Sequence, residues 1–157
     1  MDQNLIIIMD LSQLYFAIRN MGHTVNYRKM IEEILRGREA RKVAFTVFDP
    51  ANEKQASFLD RLRKWGVDVR TFPSNTPSNF TPEMSVIAGS SPESEIILVT
   101  GDDKMIRPFR LLEASGKKME LVFFSERLSG GWNPLILSGQ VNFFDLSNPD
   151  VKKRLTN

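Results

Sequence analysis

Asp10, Asp49, Asp102 and Asp103 are the residues of this 157-residue sequence best placed to do chemistry. Asp10 directly follows the apolar run Leu5-Ile6-Ile7-Ile8-Met9. Asp102 and Asp103 follow Glu95 to Thr100 through Gly101, and Asp49 ends Val43 to Phe48. Open parallel sheets bind their ligands beyond the carboxyl ends of the strands. The first and fourth strands of a doubly wound sheet are commonly neighbours, which would bring Asp10 close to Asp102. Two carboxylates that close repel unless a cation sits between them. Mg²⁺ or Mn²⁺, held by carboxylates and water, is the usual cation; it activates water and stabilises phosphoryl oxygens. An aspartate after a strand is also a common helix cap, so the case for a site rests on the pair rather than on either residue.

The elements that carry these aspartates alternate between strand and helix. Leu5 to Met9 is uninterrupted apolar sequence, the pattern of a parallel strand buried on both faces. Leu11, Leu14, Tyr15 and Ile18 give residues 11–20 helical spacing. Met30, Ile31, Ile34 and Leu35 mark a second helix over about 27–36, with Gly37 as its stop. Val43 to Phe48 reads as the second strand. Residues 52–65 form a charged amphipathic helix with Phe58, Leu59, Leu62 and Trp65 on one side, closed by Gly66. Val67 to Phe72 alternates like a strand. Residues 73–82 hold three prolines and read as a loop, with Thr81 capping a short helix over 82–89 that starts on Pro82. Glu95 to Thr100 is the fourth strand. The helix after it turns Leu111, Leu112 and Ala114 inward and ends at Gly116. It starts irregularly, because Pro108 lies too deep for the usual first-turn position. Met119 to Phe124 is the fifth strand, and Gly130-Gly131 interrupts residues 125–139. Val141 to Leu146 is expected as a sixth strand and 149–155 as a short basic helix. This alternation implies right-handed βαβ crossovers. The expected fold is one three-layer α/β/α domain over residues 1–157 with a mostly parallel sheet.

Ile8-Met9-Asp10-Leu11-Ser12-Gln13-Leu14-Tyr15 resembles the opening motif of NYN domains, a branch of the PIN-like nucleases, in which an Asp is followed three residues later by Asn. Val99-Thr100-Gly101-Asp102-Asp103-Lys104-Met105 is similar to their second signature, in which two aspartates flank one variable residue. Arg110 to Leu121 is similar to the helix–Gly–strand segment that follows it. The likeness runs from about residue 4 to about residue 146. The resemblance implies a PIN-like α/β/α sandwich and metal-dependent RNA cleavage by clustered acidic residues. Carried over position by position, it makes Asp10 and Asp102 ligands for Mg²⁺ or Mn²⁺ and Asp103 their catalytic helper. Gln13 stands where the family has Asn. The second of the paired aspartates falls on Lys104, and Asp103 comes one residue early, about 100° away if the segment is helical. The family's central Lys-Gly-x-Asp corresponds to Ser78-Asn79-Phe80-Thr81 and its further Asp to Ile87. Glu83 is the nearest acidic replacement. Two carboxylates beside an ammonium hold a divalent cation less well than four carboxylates, and a Lys104 salt bridge would neutralise the Asp10–Asp102 pair. The expectation is therefore a NYN-type protein that acts on or binds RNA with weakened or lost endoribonuclease activity, a pseudoenzyme. Three alternatives stay open. One is an active Mg²⁺- or Mn²⁺-dependent endoribonuclease in which Asp103 and Glu83 rebuild the site. Another is a non-catalytic protein-interaction module. The last is a receiver-like regulatory domain, which lacks a well-placed phosphoacceptor pattern here.

Lysine and arginine number 21 against 19 acidic residues, a net charge of +2, so distribution matters more than balance. Lys104, Arg107 and Arg110 recur at every third residue just after Asp102. On a helix they share a face, and with Gln13 they suit an RNA backbone. The other basic clusters read as solvated helix faces. One of Tyr15 and Phe16 is expected in the core and the other available for base stacking. Phe80, in its polar loop, is either an anchor or a contact. Trp132, Pro134 and Leu135 either cover the sheet edge or form an apolar patch for a second subunit, which leaves a homodimer or a protein partner open. The lack of cysteine excludes disulfides, thiolate metal sites and cysteine nucleophiles. His23 is the only histidine and sits in a turn, so neither a zinc pair nor a Ser–His–Asp triad is available. Glycine-rich phosphate loops are absent, and no nucleotide cofactor is expected. No apolar run approaches the ~20 residues that span a bilayer. The expectation is a soluble, cytoplasmic protein without membrane contact.

Overall fold

The computed structural model describes residues 4–22, 24–73 and 79–156. Among them, six strands form one sheet: β1 (Leu5–Asp10), β2 (Arg41–Phe48), β3 (Val67–Pro73), β4 (Glu95–Val99), β5 (Lys118–Phe123) and β6 (Phe143–Asp145). Their order is β3-β2-β1-β4-β5-β6, and every pairing is parallel. The sheet is thus parallel throughout rather than mostly so. Parallel neighbours need crossover connections. Six α-helices among the described residues lie in them: α1 (Leu11–Met21), α2 (Tyr27–Leu35), α3 (Glu53–Lys64), α4 (Thr81–Ser90), α5 (Ile106–Ala114) and α6 (Asn133–Leu137); a seventh, α7 (Pro149–Leu155), follows β6. β1 leads to β2 on one side and pairs with β4 on the other, with Met9 opposite Val99. The chain therefore reverses its winding between β1 and β4, the point at which such sheets open a crevice.

All six residues of β1 are buried. Alternation sends Leu5, Ile7 and Met9 into one layer and Ile6 and Ile8 into the other. The first layer packs α1, α2, α3 and α7 through residues such as Leu14, Ile31, Leu62 and Leu155. The second packs α4 and α5 through Met84, Ala88, Phe109 and Leu112, with Trp132 among them. The result is the α/β/α sandwich.

Local differences from the expected elements have local causes. Of the three residues expected inward on α5 only Leu112 is buried, with Phe109 beside it; Leu111 is 61% exposed and Ala114 is exposed. The spacing from Met105 through Phe109 to Leu112 fits one face of the helix better than the adjacent pair Leu111-Leu112. Pro108 is not too deep: it is the third residue of α5 and lies in its first turn, where its missing N–H costs no helical hydrogen bond, and a 3₁₀ turn over Asp103–Met105 precedes the helix. Thr81 does not cap α4. It is the first helical residue, Phe80 holds the cap position, and Asn79 Oδ1 accepts the Thr81 N–H at 3.2 Å. Phe80 is an anchor rather than a contact: it is 2% exposed, with its ring 4.8 Å from that of Phe72 and 5.9 Å from that of Phe45. Neither Tyr15 nor Phe16 enters the core, since each is 54% exposed while Leu11, Leu14, Ala17 and Ile18 fill the inner face of α1. Trp132 is fully buried and forms no surface patch. His23 and residues 74–78 of the proline-rich loop lie outside the described residues.

Candidate functional site

Asp10 ends β1 and caps α1. Its Oδ1 accepts the Gln13 N–H at 3.1 Å. Asp102 caps the 3₁₀ turn beyond β4, and its Oδ1 accepts the Lys104 N–H at 2.9 Å. Each aspartate therefore does fill the helix-capping role. Asp102 also acts on Asp10. Burial pushes the Asp10 carboxyl up from the ordinary 3.8 to about 7, and the negative charge of Asp102 adds to the rise against the N–H groups of Gln13 and Ser12. Asp10 is only 3% exposed, whereas Asp102 is half-buried.

The two strand ends are tied together by Gln13. Its amide oxygen accepts the Gly101 N–H at 2.7 Å and the Thr100 hydroxyl at 3.3 Å. Thr100 Oγ1 in turn accepts the Asp102 N–H at 3.2 Å. The amide of Gln13, expected at an RNA backbone, thus has its oxygen committed within the protein. From the other side, the Trp132 indole donates to the Asp102 carbonyl at 3.0 Å, and the Ser129 N–H donates to the Gly101 carbonyl at 2.9 Å. Gly101 leaves no room for a side chain: a Cβ there would lie 2.5 Å from the Phe123 ring and 3.2 Å from the Arg127 carbonyl. The loop that carries Asp102 is thereby held on three sides. Sequence reasoning missed Thr100, Ser129 and Trp132 in this role. The only local signal was the hydroxyl immediately before Gly101-Asp102.

The other expected site residues do not gather around the pair. Asp49 shapes the turn after β2, where its Oδ1 accepts the Ala51 N–H at 3.0 Å. The Asp103 side chain lies against Gly131, where an added Cβ would come 2.9 Å from its Oδ2. Lys104 is exposed, and only its backbone N–H reaches Asp102, so the neutralising salt bridge is not formed. Arg107 is exposed on α5. Arg110 is half-buried; its Nη2 donates to Gln140 Oε1 at 2.6 Å, and its Nη1 lies 4.0 Å from Glu113. Thr81 and Glu83 sit in the first turn of α4, Glu83 exposed. Among the described residues, no three His, Asp or Glu side chains come together in a way that holds a metal. Asp10 and Asp102 each have one oxygen accepting a backbone N–H; their other oxygens would be what the pair offers Mg²⁺ or Mn²⁺, two carboxylates with water left to complete the octahedron.

A second feature adjoins the mouth. Between α1, the start of α2 and α3 runs a groove of about 920 Å³. Ser12 and Phe16 belong to its wall and also to a hollow of about 300 Å³ beside Gln13 and Gly101. No helix among the described residues is long and apolar enough to cross a membrane.

Comparison with curated proteins and with solved structures gives no match. The family model of the NYN domain matches residues 4–131, from the start of β1 to the turn before Trp132. That stretch contains both signature aspartates and the first five strands of the parallel sheet, and with it the chain belongs to the NYN domain family, with a fold consistent with the PIN-like nucleases.

Proposed function

We propose that this protein binds RNA at the mouth between β1 and β4 and that its metal-dependent cleavage is weakened or lost. The observation that carries this reading is the isolation of the acidic pair. Among the described residues, Asp10 and Asp102 stand without a third carboxylate, since Asp103 packs against Gly131 and Glu83 does not join them. Catalysis of phosphodiester hydrolysis by divalent ions needs carboxylates to fix the ion. Lys104 and Arg107 are exposed beyond Asp102 and supply a phosphate-binding edge of the salt-sensitive, sequence-independent kind. One observation favours the alternative of an active endoribonuclease using Asp10, Asp102 and Asp103: the first two carboxyls are near enough to raise the proton affinity of Asp10.

Mn²⁺ titration followed by thermal unfolding, beside cleavage of a single-stranded RNA, separates the two. The pseudoenzyme reading expects no stabilisation and intact RNA. Stabilisation with cleavage overturns it. Stabilisation by a ligand at 100 times its Kd amounts to about 2.7 kcal/mol, well within reach of the measurement. For the RNA-binding half, Lys104→Ala/Arg107→Ala is expected to weaken affinity and to flatten its dependence on log salt by about 0.7 for each phosphate no longer neutralised. An unchanged slope removes these residues from the interface.

A further inference from the structure

Tyr15 and Phe16 are among the most exposed large apolar residues of the protein, each 54% exposed, on the second turn of α1. They are not isolated. Together with Tyr27, Phe58 and Trp65 they put five aromatic rings on the groove beside α1. Tyr27 and Phe58 meet edge to face at 4.8 Å, and Tyr15 and Phe16 do so at 5.8 Å, so neighbouring rings are held at steep angles. The cations of the groove are Arg28, which pairs with Glu32 at 3.3 Å, and Lys54 and Arg61; no acidic side chain among the described residues lines it. Arg28 sits over the Trp65 ring at 5.6 Å and Arg61 over Phe58 at 6.0 Å. From Gln55 to Trp65 the groove follows α3 to its C-cap, about 15 Å at 1.5 Å per residue.

A concave surface with several rings, cations and no carboxylate is complementary to a polyanion with flat apolar faces. Single-stranded nucleic acid has both: stacking binds the bases whatever their identity, and the cations follow the phosphates. Methionine is over-used on promiscuous helix-binding surfaces, and no methionine among the described residues lines this one, whose aliphatic residues are Leu11, Val25, Val47 and Leu59. Position gives a further argument. Phe16 and Ser12 form the wall shared by this groove and the hollow beside Gln13 and Gly101, so a strand lying in the groove passes over α1 to that hollow, whose Gln13 and Gly101 adjoin the turns that carry Asp10 and Asp102.

We infer that the groove between α1 and α3 is a stacking channel for single-stranded RNA that feeds the strand across Phe16 to the mouth between β1 and β4. The inference rests on the RNA reading of that mouth and extends it to a second contact region. It assigns the stacking rings to Tyr15, Phe16 and Trp65 and the phosphate contacts to Lys54 and Arg61.

Binding of a fluorescein-labelled oligouridylate of about 12 nucleotides, within the site sizes of single-strand binders, tests it by anisotropy at several salt concentrations. Tyr15→Ala and Phe16→Ala, exposed and outside the core, are each expected to weaken binding by about tenfold. Lys54→Ala is expected to reduce the slope of log affinity against log salt by about 0.7. Trp65 fluorescence should fall on binding, and Trp65→Phe should abolish that fall while the anisotropy change persists. Unchanged affinity in both ring variants overturns the channel. If Lys104→Ala/Arg107→Ala still weakens binding in that case, the mouth stands without it; if only the groove variants weaken binding, the mouth assignment fails and the channel stands. A shift from dimer to monomer in Tyr15→Ala/Phe16→Ala with RNA affinity unchanged makes a second copy the occupant and also overturns the proposal.

Discussion

Asp10 binds its proton more tightly in the folded protein than in the unfolded chain, because burial outweighs the two backbone N–H groups that favour the anion. Its folded value of about 7 lies above the ordinary 3.8, so the native state holds the extra proton between those limits. Stability therefore falls as pH rises from about 4 to about 7 and levels off above that. The full difference corresponds to about 4 kcal/mol, an upper figure for one group. Asparagine caps a helix as well as aspartate does and carries no charge. Asp10→Asn should therefore be more stable than the parent by about 2–4 kcal/mol at about pH 8, nearly equal to it at about pH 4, and free of the slope between. Urea unfolding across that range checks it. An Asp10→Asn variant no more stable than the parent at high pH would show that the carboxylate is compensated by a cation or by water. The position of Asp10 was legible in the sequence because a buried strand ends on it. Its protonation was not, since the charge that adds to its burial comes from Asp102, on a separate part of the chain.

At the scale of elements, the strands and helices follow from apolar spacing, and the departures from expectation arise where distant elements decide. Phe80 sits in polar sequence but is claimed by Phe45 on β2 and Phe72 on β3. Asp103 falls in a 3₁₀ turn, whose step per residue is about 120° rather than the helical value, and it packs against Gly131. The ends of β2, β4 and β5 away from the mouth show the same non-local control. Glu93, 6% exposed, receives the Arg41 guanidinium at 2.8 Å and the Ser91 hydroxyl. The Lys117 ammonium donates to the carbonyls of Ser91 and Glu93. Burial alone pushes the Glu93 carboxyl up, but the hydrogen bonds from Arg41 and Ser91 and the charge of Arg41 hold it down at about 2. A depressed acid contributes stability above its ordinary 4.5 that is lost as pH falls toward 2. Arg41→Met strands this carboxylate and should cost about 2–4 kcal/mol near pH 7. The deficit should shrink below about pH 4.5 as Glu93 takes up a proton in the variant first. Chemical denaturation of parent and variant at the two pH values measures it, and a pH-independent deficit would assign the loss to packing. At the mouth, Gly101→Ala drives a Cβ into the Phe123 ring, which is buried and cannot swing aside. The expected cost is about 1–3 kcal/mol in the same denaturation measurement, and under the proposed RNA-binding function affinity should fall as well, because Lys104 moves with the backbone.

Over the whole molecule, the matched NYN region and the folded unit are not the same length. The match ends at residue 131, yet Trp132, Val141, Leu146, Val151 and Leu155 lie beyond it, and all are buried in the two layers. β6 extends the sheet from β5 by parallel pairing, Leu121 with Phe143 through Phe123 with Asp145. α7 packs on α2: the Asn26 N–H donates to the Leu155 carbonyl at 2.8 Å, Lys29 Nζ donates to the Thr156 carbonyl at 3.0 Å, and Arg154 pairs with Glu33 at 2.6 Å. The exposed ion pair adds little on its own, so the apolar packing of Val151 and Leu155 carries the docking. α7 also fixes the start of α2, which sets Tyr27 and Arg28 in the wall of the groove. Leu155→Ala should therefore cost about 2–4 kcal/mol in urea unfolding and raise hydrogen exchange in α2 before it does so in β1 or β4. A chain cut after Gly131 leaves these core positions empty and the edge of β5 bare. It should lose its cooperative transition and bind a hydrophobic dye, as expected of a compact state without fixed packing. A sharp unfolding transition in that shortened chain would mean instead that the first five strands fold without β6 and α7, and that these two elements serve the groove rather than the core.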